Sequence, residues 1–227
     1  MKKAILFAAI VAAGITAKAQ QAPQPDFRPV LQTTFNTFDT SWGNPQARMT
    51  AANKLILITK KWPDQWVTSY YAAYSKVQLA YAEQDGTKKD VLLDEAETFR
   101  DDAQRLYGKD NDEIFVLNAM IAQARLGVDP RARYMKYGKI FDQNLDKAKE
   151  LNPDNPRIYL QRGISKFYTP KMFGGGKKAA APYFEKAQGL FAKEQHEDIA
   201  KPNWGQGTLA YFMKLMAASD DKDEDKK

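Results

Sequence analysis

Cysteine is absent from the chain, and histidine occurs once, as His196. The missing cysteines exclude disulfides, cysteine nucleophiles and a lipid attached to a lipoprotein cysteine. One histidine is too few for a zinc site, which usually draws on several histidine or cysteine ligands. A Ser-His-Asp triad would need His196, which lies in a charged segment and is expected to be an ordinary surface residue. We therefore predict no enzymatic activity, no metal and no cofactor.

The glycine-rich stretch 174–178 is similar to part of a phosphate-binding loop, but it is incomplete. Lys171 stands where that loop needs its first glycine, and Lys178 stands where it needs serine or threonine. The stretch is therefore expected to be a flexible connector, with a functional loop as the alternative. The side chains that would carry such a function are Tyr168, Met172 and Phe173.

The first residues have the pattern of a secretory signal peptide. Lys2 and Lys3 form a basic start, residues 4–17 are small and apolar, and Ala17-Lys18-Ala19 is an A-x-A cleavage site. The apolar run is shorter than the roughly 18 residues of a membrane-spanning helix. We predict a signal peptide over residues 1–19, export to the periplasm (or secretion), and no stable membrane insertion after cleavage.

The charge of the chain argues against a nucleic-acid partner. The formal net charge is +6, but three lysines belong to the predicted signal peptide. Their removal leaves 31 basic and 28 acidic residues, a net charge of +3. This mild excess is unlike the clustered basic face of a nucleic-acid-binding protein.

The remaining chain is predicted to be helical almost throughout, because no alternating strand pattern is present. Residues 20–29 are rich in proline and glutamine and are expected to form an extended leader. Residues 30–218 are the predicted helical domain, with a charged linker over 193–201, and residues 219–227 are a charged disordered tail. The predicted helices cover 30–38, 45–61, 65–84, 91–107, 113–126, 132–151, a segment from 156, a segment around 180–187, and 202–218.

The helical domain repeats at an interval of 45 residues. The interval separates apolar positions, helix stops and positions within the following helices. Such a period predicts one helix pair per repeat, with the pairs stacked to bury a shared core. The three sets are Ile58, Ala103 and Ala148; Pro63, Gly108 and Pro153; and Ala73, Asn118 and Gly163.

The clearest copy of the repeat is the stretch 148–191. It has Tyr159 at an aromatic position, Gly163 four residues later, and an Ala-x3-Phe pair at Ala180 and Phe184. This pattern resembles the tetratricopeptide repeat (TPR) family, whose helix pairs read W-x2-L-G-x2-Y, then A-x3-F, then P. The TPR period is about 34 residues, so the extra length here falls in loops within each pair.

The TPR resemblance implies an all-α fold, a TPR-like helix-pair solenoid that forms a right-handed superhelix, with the last helix as a C-terminal cap. In TPR-like proteins the first helix of each pair lines a binding groove. The residues that this implies as groove candidates are Tyr70, Tyr74, Gln78, Met120, Gln123, Arg157, Gln161 and Tyr168, with Met172 and Phe173 as loop candidates. The competing interpretation is that the tyrosines simply pack the core.

The function predicted on this basis is a non-enzymatic scaffold that binds a protein or peptide. The alternative is a periplasmic small-ligand-binding or solute-transport accessory protein, which a cavity lined by Tyr70, Tyr74 and Phe167 would favour. An enzyme with an unrecognised carboxylate site is the third possibility, and two acids facing each other in a cleft would indicate it.

Overall fold

The computed structural model describes residues 25–194 and 198–218. The predicted signal peptide, residues 20–24 of the predicted leader, His196 and the predicted tail lie outside these ranges. Within them the fold is all-α, with nine helices, one short 3-10 turn (Lys171–Phe173) and no strand. The helices are α1 Arg28–Thr40, α2 Pro45–Lys61, α3 Trp66–Ala82, α4 Gly86–Tyr107, α5 Asp112–Leu126, α6 Pro130–Leu151, α7 Pro156–Tyr168, α8 Lys177–Phe191 and α9 Gln206–Ala217.

Helix starts follow the local sequence closely, because asparagine or aspartate precedes proline at several of them. Asn44 Oδ1 accepts a hydrogen bond from the backbone N–H of Ala47 (3.0 Å), which caps α2 as predicted. Asp129 caps α6 and Asn155 caps α7 in the same way. Proline at the first helical position loses nothing there, since its missing N–H would have no partner within the helix.

Several element boundaries differ from the prediction. Helix α4 begins five residues early, because the Asp85 side chain accepts from the Lys88 N–H and caps it (2.9 Å). Helix α6 runs unbroken through Gly138. Helix α9 begins at Gln206, since Gly205 has a φ of +107°, which interrupts a right-handed helix.

The end of the predicted leader packs against the helices instead of standing apart from them. Phe27 is buried, and the Trp62 indole donates to the Pro25 carbonyl (2.8 Å).

Consecutive helices pack as pairs. Helix α1 packs on α2, α3 on α4, α5 on α6 and α7 on α8, and α9 packs on α8. The first helices of the last three pairs, α3, α5 and α7, also contact each other in succession. Among the described helices, none is long and apolar enough to cross a membrane.

Three of the four second helices bury their apolar residues at a common spacing of four and then three positions, and α4 is the exception. A close contact shows why α7 has a glycine where it crosses α8. A Cβ atom at Gly163 would lie 2.5 Å from Cε1 of the buried Phe184 ring. The buried sets are Ala51, Leu55 and Ile58 in α2; Phe141, Leu145 and Ala148 in α6; and Ala180, Phe184 and Ala187 in α8.

Candidate functional site

The face formed by the first helices α3, α5 and α7 is covered by the chain itself. Residues 198–205, here called the strap, lie against these helices. The Trp204 Nε1–H donates to Tyr70 Oη (2.8 Å), and the Asn203 backbone N–H donates to Tyr71 Oη (2.7 Å). Arg157 Nη2 donates to the Pro202 carbonyl (2.8 Å). The strap therefore occupies the place where a partner was expected.

Arg157 is the centre of a buried polar cluster that holds the strap. Its Nη1 lies 3.1 Å from Glu113 Oε1 and 2.6 Å from Glu194 Oε1. Glu113 also accepts hydrogen bonds from Tyr70 Oη (3.2 Å) and Asn155 Nδ2 (2.8 Å). A buried guanidinium is tolerated here because two carboxylates and a carbonyl share its donors.

Burial and neighbouring charges shift the pKa values of the two central members of the cluster, Glu113 and Arg157. Burial raises the pKa of the Glu113 carboxyl to about 7, although Arg157 acts in the opposite direction. Burial also acts to lower the pKa of Arg157, but Glu113 and Glu194 outweigh it and raise that pKa. Arg157 therefore stays charged, and Glu113 is the member of the cluster that takes up a proton near neutral pH.

Most of the predicted groove residues lie in the interior of the described structure. One of them, Tyr74, is covered by α1 and the strap, because its ring lies 6.0 Å from Phe35 and 4.7 Å from Trp204. Gln123 is half-buried, within 3.5 Å of Tyr81 Oη. The buried candidates are Tyr70, Tyr74, Gln78, Met120, Arg157 and Gln161.

The three remaining predicted residues, Tyr168, Met172 and Phe173, lie on the surface. Tyr168 belongs to a group of rings that α9 completes. The Phe212 ring lies 5.3 Å from Phe167, 5.9 Å from Tyr168 and 5.5 Å from Tyr211. The four rings, here called the aromatic surface, are Phe167, Tyr168, Tyr211 and Phe212.

Two tyrosines of the aromatic surface are open to solvent. Tyr168 is 66% exposed and Tyr211 is 57% exposed, whereas Phe212 is buried beneath them and also stacks on Phe184 at 5.4 Å. Partial burial raises the pKa of Tyr168, and the Tyr211 phenol raises it further. The surface therefore presents ring faces and two hydroxyls above a rigid apolar base.

The loop beside the aromatic surface is held in place, which the expected flexible connector did not predict. The Gly176 N–H donates to the Lys166 carbonyl (2.8 Å), and the Gly175 N–H donates to the Pro170 carbonyl (3.2 Å). A Cβ atom at Gly175 would lie 2.1 Å from the Thr169 carbonyl oxygen. The glycines are thus needed for a close backbone approach, not for mobility.

Helix α9 is fastened to the same region. Lys177, in the first turn of α8, donates through Nζ to the Leu215 carbonyl near the end of α9 (2.6 Å). Its ammonium also lies 5.9 Å from the Phe167 ring. The aromatic surface is therefore assembled from α7 and α9, which α8 holds together.

Sequence reasoning missed the half of the aromatic surface that α9 supplies. Tyr168 was among the predicted site residues and Phe167 among the rings of the cavity alternative, whereas Tyr211 and Phe212 were in neither set. A signal was present: two adjacent aromatic pairs, Phe167-Tyr168 and Tyr211-Phe212, stand in stretches without any acidic residue, 155–184 and 199–219. The described residues contain no cluster of histidine, cysteine or acidic residues that could hold a metal ion.

Comparisons with known proteins give one informative similarity. No protein-family model matches the chain, and no curated protein does. Among solved structures, the chain is similar to the HusA haemophore from Porphyromonas gingivalis, with 31% sequence identity and a TM-score of 0.73. The match covers 87% of this chain and 96% of that chain. It thus extends over nearly all of the haemophore.

Proposed function

The chain belongs to the family of the HusA haemophore, and from this premise we propose that it binds haem on the aromatic surface. The observation that carries the proposal is the exposure of Tyr168 and Tyr211 above the buried Phe212 ring. Large exposed aromatic areas are uncommon on soluble proteins and mark binding sites.

The chemistry of the aromatic surface fits haem. Haem is a flat apolar macrocycle with two carboxylates, so it needs ring faces to stack on and cations for its carboxylates. Tyr168 and Tyr211 offer the ring faces, and their phenol oxygens are a known type of haem-iron ligand. Lys166, Lys178 and Lys214 supply cations on the same elements, within stretches that lack acidic residues.

The proposed role is that of a carrier without catalytic activity, which corresponds to the small-ligand alternative. The protein- or peptide-binding scaffold has less support, because the strap covers the helices that would form its groove. Export remains part of the proposal, since it rests on the N-terminal sequence pattern and on the haemophore relative.

We also propose that the helix pairs are TPR-like repeats in a right-handed solenoid, with α9 as the cap. Three features support this. The pairs follow each other at the 45-residue interval, the first helices contact one another in succession, and Gly163 meets Phe184 as the motif would require.

Titration of residues 20–227 with haemin, followed by absorbance in the Soret region, tests haem binding. We expect a saturable spectral change in the parent protein. The double variant Tyr168→Ser/Tyr211→Ser removes two ring contacts of about 0.5–1.5 kcal/mol each, so its affinity should fall about tenfold. Tyr134→Ser is the matched control, because Tyr134 is 63% exposed but lies on α6.

Two outcomes would contradict the proposal. A parent protein without a saturable spectral change does not bind haem in the proposed way. A double variant that binds as tightly as Tyr134→Ser would place the haem elsewhere on the molecule.

A further inference from the structure

The 3-10 turn between α7 and α8 carries two apolar side chains that point away from the protein. Met172 is 82% exposed and Phe173 is 69% exposed. Within the described chain, Phe173 takes no part in the ring contacts of the aromatic surface. These two residues, here called the tip, are therefore unexplained by packing and by the proposed haem site.

Hydrogen bonds within the turn hold the backbone of the tip in place. The Phe173 N–H donates to the Pro170 carbonyl (2.9 Å), and the Gly174 N–H donates to the Lys171 carbonyl (3.0 Å). Gly174 then reverses the chain with a φ of +76°. The turn is closed by its own backbone hydrogen bonds and carries both side chains of the tip on its outer side, in water.

The sequence on both sides of the tip carries positive charge only. No acidic residue occurs in the sequence from residue 155 to residue 184, on either side of the turn. Lys171 and Lys178 are both exposed there. Apolar side chains flanked by lysines match the interface of an anionic bilayer, where the rings enter the headgroup region and the ammonium groups meet phosphates.

We propose that Met172 and Phe173 dock the protein on an anionic lipid surface, with Lys171 and Lys178 contacting the phosphates. The proposal shares Lys178 with the haem proposal, but it uses none of the four rings of the aromatic surface, so variants of the rings and of the tip separate the two. A protein partner is the less favoured occupant, because two side chains offer far less than the roughly 800 Å² per partner that a stable protein interface buries.

Vesicle sedimentation tests the proposal. The protein 20–227 should pellet with vesicles that contain phosphatidylglycerol and remain in solution with pure phosphatidylcholine. Binding should weaken as salt is added, because the lysine contacts are screened. Failure to pellet with anionic vesicles, or equal pelleting with both kinds, would overturn the proposal.

Two sets of variants locate the contact. Met172→Ser/Phe173→Ser should reduce binding to anionic vesicles at least about tenfold, because both apolar insertions are lost. Tyr134→Ser/Met135→Ser is the control, since Met135 is 81% exposed on α6 and matches Met172. Lys171→Glu/Lys178→Glu should also weaken binding at low salt. If Tyr134→Ser/Met135→Ser loses as much vesicle binding as Met172→Ser/Phe173→Ser, and thermal unfolding is unchanged in all variants, the assignment to the tip is contradicted.

The haem and lipid proposals can fail separately. Tyr168→Ser/Tyr211→Ser should lose haem affinity and keep binding vesicles, whereas the tip variant should do the reverse. If the protein fails to bind vesicles but crosslinks to another protein only when Met172 and Phe173 are present, the tip contacts a protein receptor. That result would reject the proposal.

Discussion

Trp204 and Tyr70 are joined by a 2.8 Å hydrogen bond although 134 residues separate them in the sequence. The bond fixes the strap to α3, in the interior of the helix stack. Tyr70 in turn donates to Glu113 on α5, and the Arg157 guanidinium lies 5.3 Å from the Trp204 ring. Four separate parts of the chain thus meet in one cluster, and the first predictions concern its members.

Tyr70 and Tyr74 are both fully buried, but within the described structure only the Tyr70 hydroxyl has hydrogen-bond partners. Tyr70 Oη bonds to Trp204 and Glu113, whereas Tyr74 Oη has no hydrogen-bond partner among the described residues. Tyr70→Phe should therefore destabilise the protein by about 1–3 kcal/mol, and Tyr74→Phe should be neutral or stabilising. Urea unfolding of the two variants measures the difference, and an equal loss in both would contradict it.

Arg157 and Arg162 stand in the same helix but in different environments. Replacing Arg157 with methionine leaves Glu113 and Glu194 without their shared cation, so the loss should reach about 3–5 kcal/mol. Arg162 pairs with the exposed Asp146 (2.6 Å), and Arg162→Met should cost less than about 1 kcal/mol. Chemical denaturation of both variants measures the two losses of stability. A larger loss for Arg162→Met than for Arg157→Met would show that the cluster does not hold the strap.

Glu113 should make stability depend on pH. Burial raises the pKa of its carboxyl from 4.5 to about 7, so the folded protein binds this proton more tightly than the unfolded chain. The stability from this group is complete below about pH 4.5 and is lost as the pH rises to about 7, by at most about 3–4 kcal/mol. The melting temperature should therefore fall between about pH 4.5 and pH 7 more steeply in the parent protein than in Glu113→Gln.

Glu185→Gln is the control for this experiment, because Glu185 is exposed on α8. Its melting temperature should follow the parent curve. A Glu113→Gln variant with the parent's slope would show that another group causes the pH dependence.

Gly163 should not tolerate a methyl group. A Cβ there would overlap the Phe184 ring, and Gly163→Ala should destabilise by about 1–3 kcal/mol. Gly189, on α8, is the control, because nothing lies within 4 Å of the place that a Cβ atom would take there. Gly189→Ala should stabilise by about 0.5–1 kcal/mol, since alanine favours the helix. Thermal unfolding of the two variants should move in opposite directions.

The sequence was sufficient to predict the helical class and many helix ends, because capping is local. Asn44 followed by Pro45 predicted the start of α2, and Gly108 predicted the end of α4, where it has a φ of +78°. The TPR resemblance also singled out Gly163 and Phe184 as motif positions, and the structure brings the two into contact. The capping predictions succeed because each cap depends only on residues within one helical turn.

The candidate site was less predictable, because it depends on contacts between distant segments. Residues 193–201 were expected to be a charged linker, and nothing local indicates that residues 202–205 would bury Tyr70 and Arg157. Tyr168 lies on the surface, and its neighbour Tyr211 stands far along the chain, on α9. Periodicity predicted that the tyrosines of α3 line a groove, whereas the structure buries Tyr70 and Tyr74 against the strap.

The strap also sets the order in which the molecule can be completed. Each helix pair contacts mainly its neighbours in sequence, so the pairs can form as the chain is made, with short loops to close. The bond between Trp204 and Tyr70 closes a very long loop, so it can form only after all four helix pairs have been synthesised. Until residue 204 is made, the Tyr70 hydroxyl lacks its Trp204 donor and the Arg157 guanidinium lacks the Pro202 carbonyl, so the polar cluster is completed after the helix pairs that surround it.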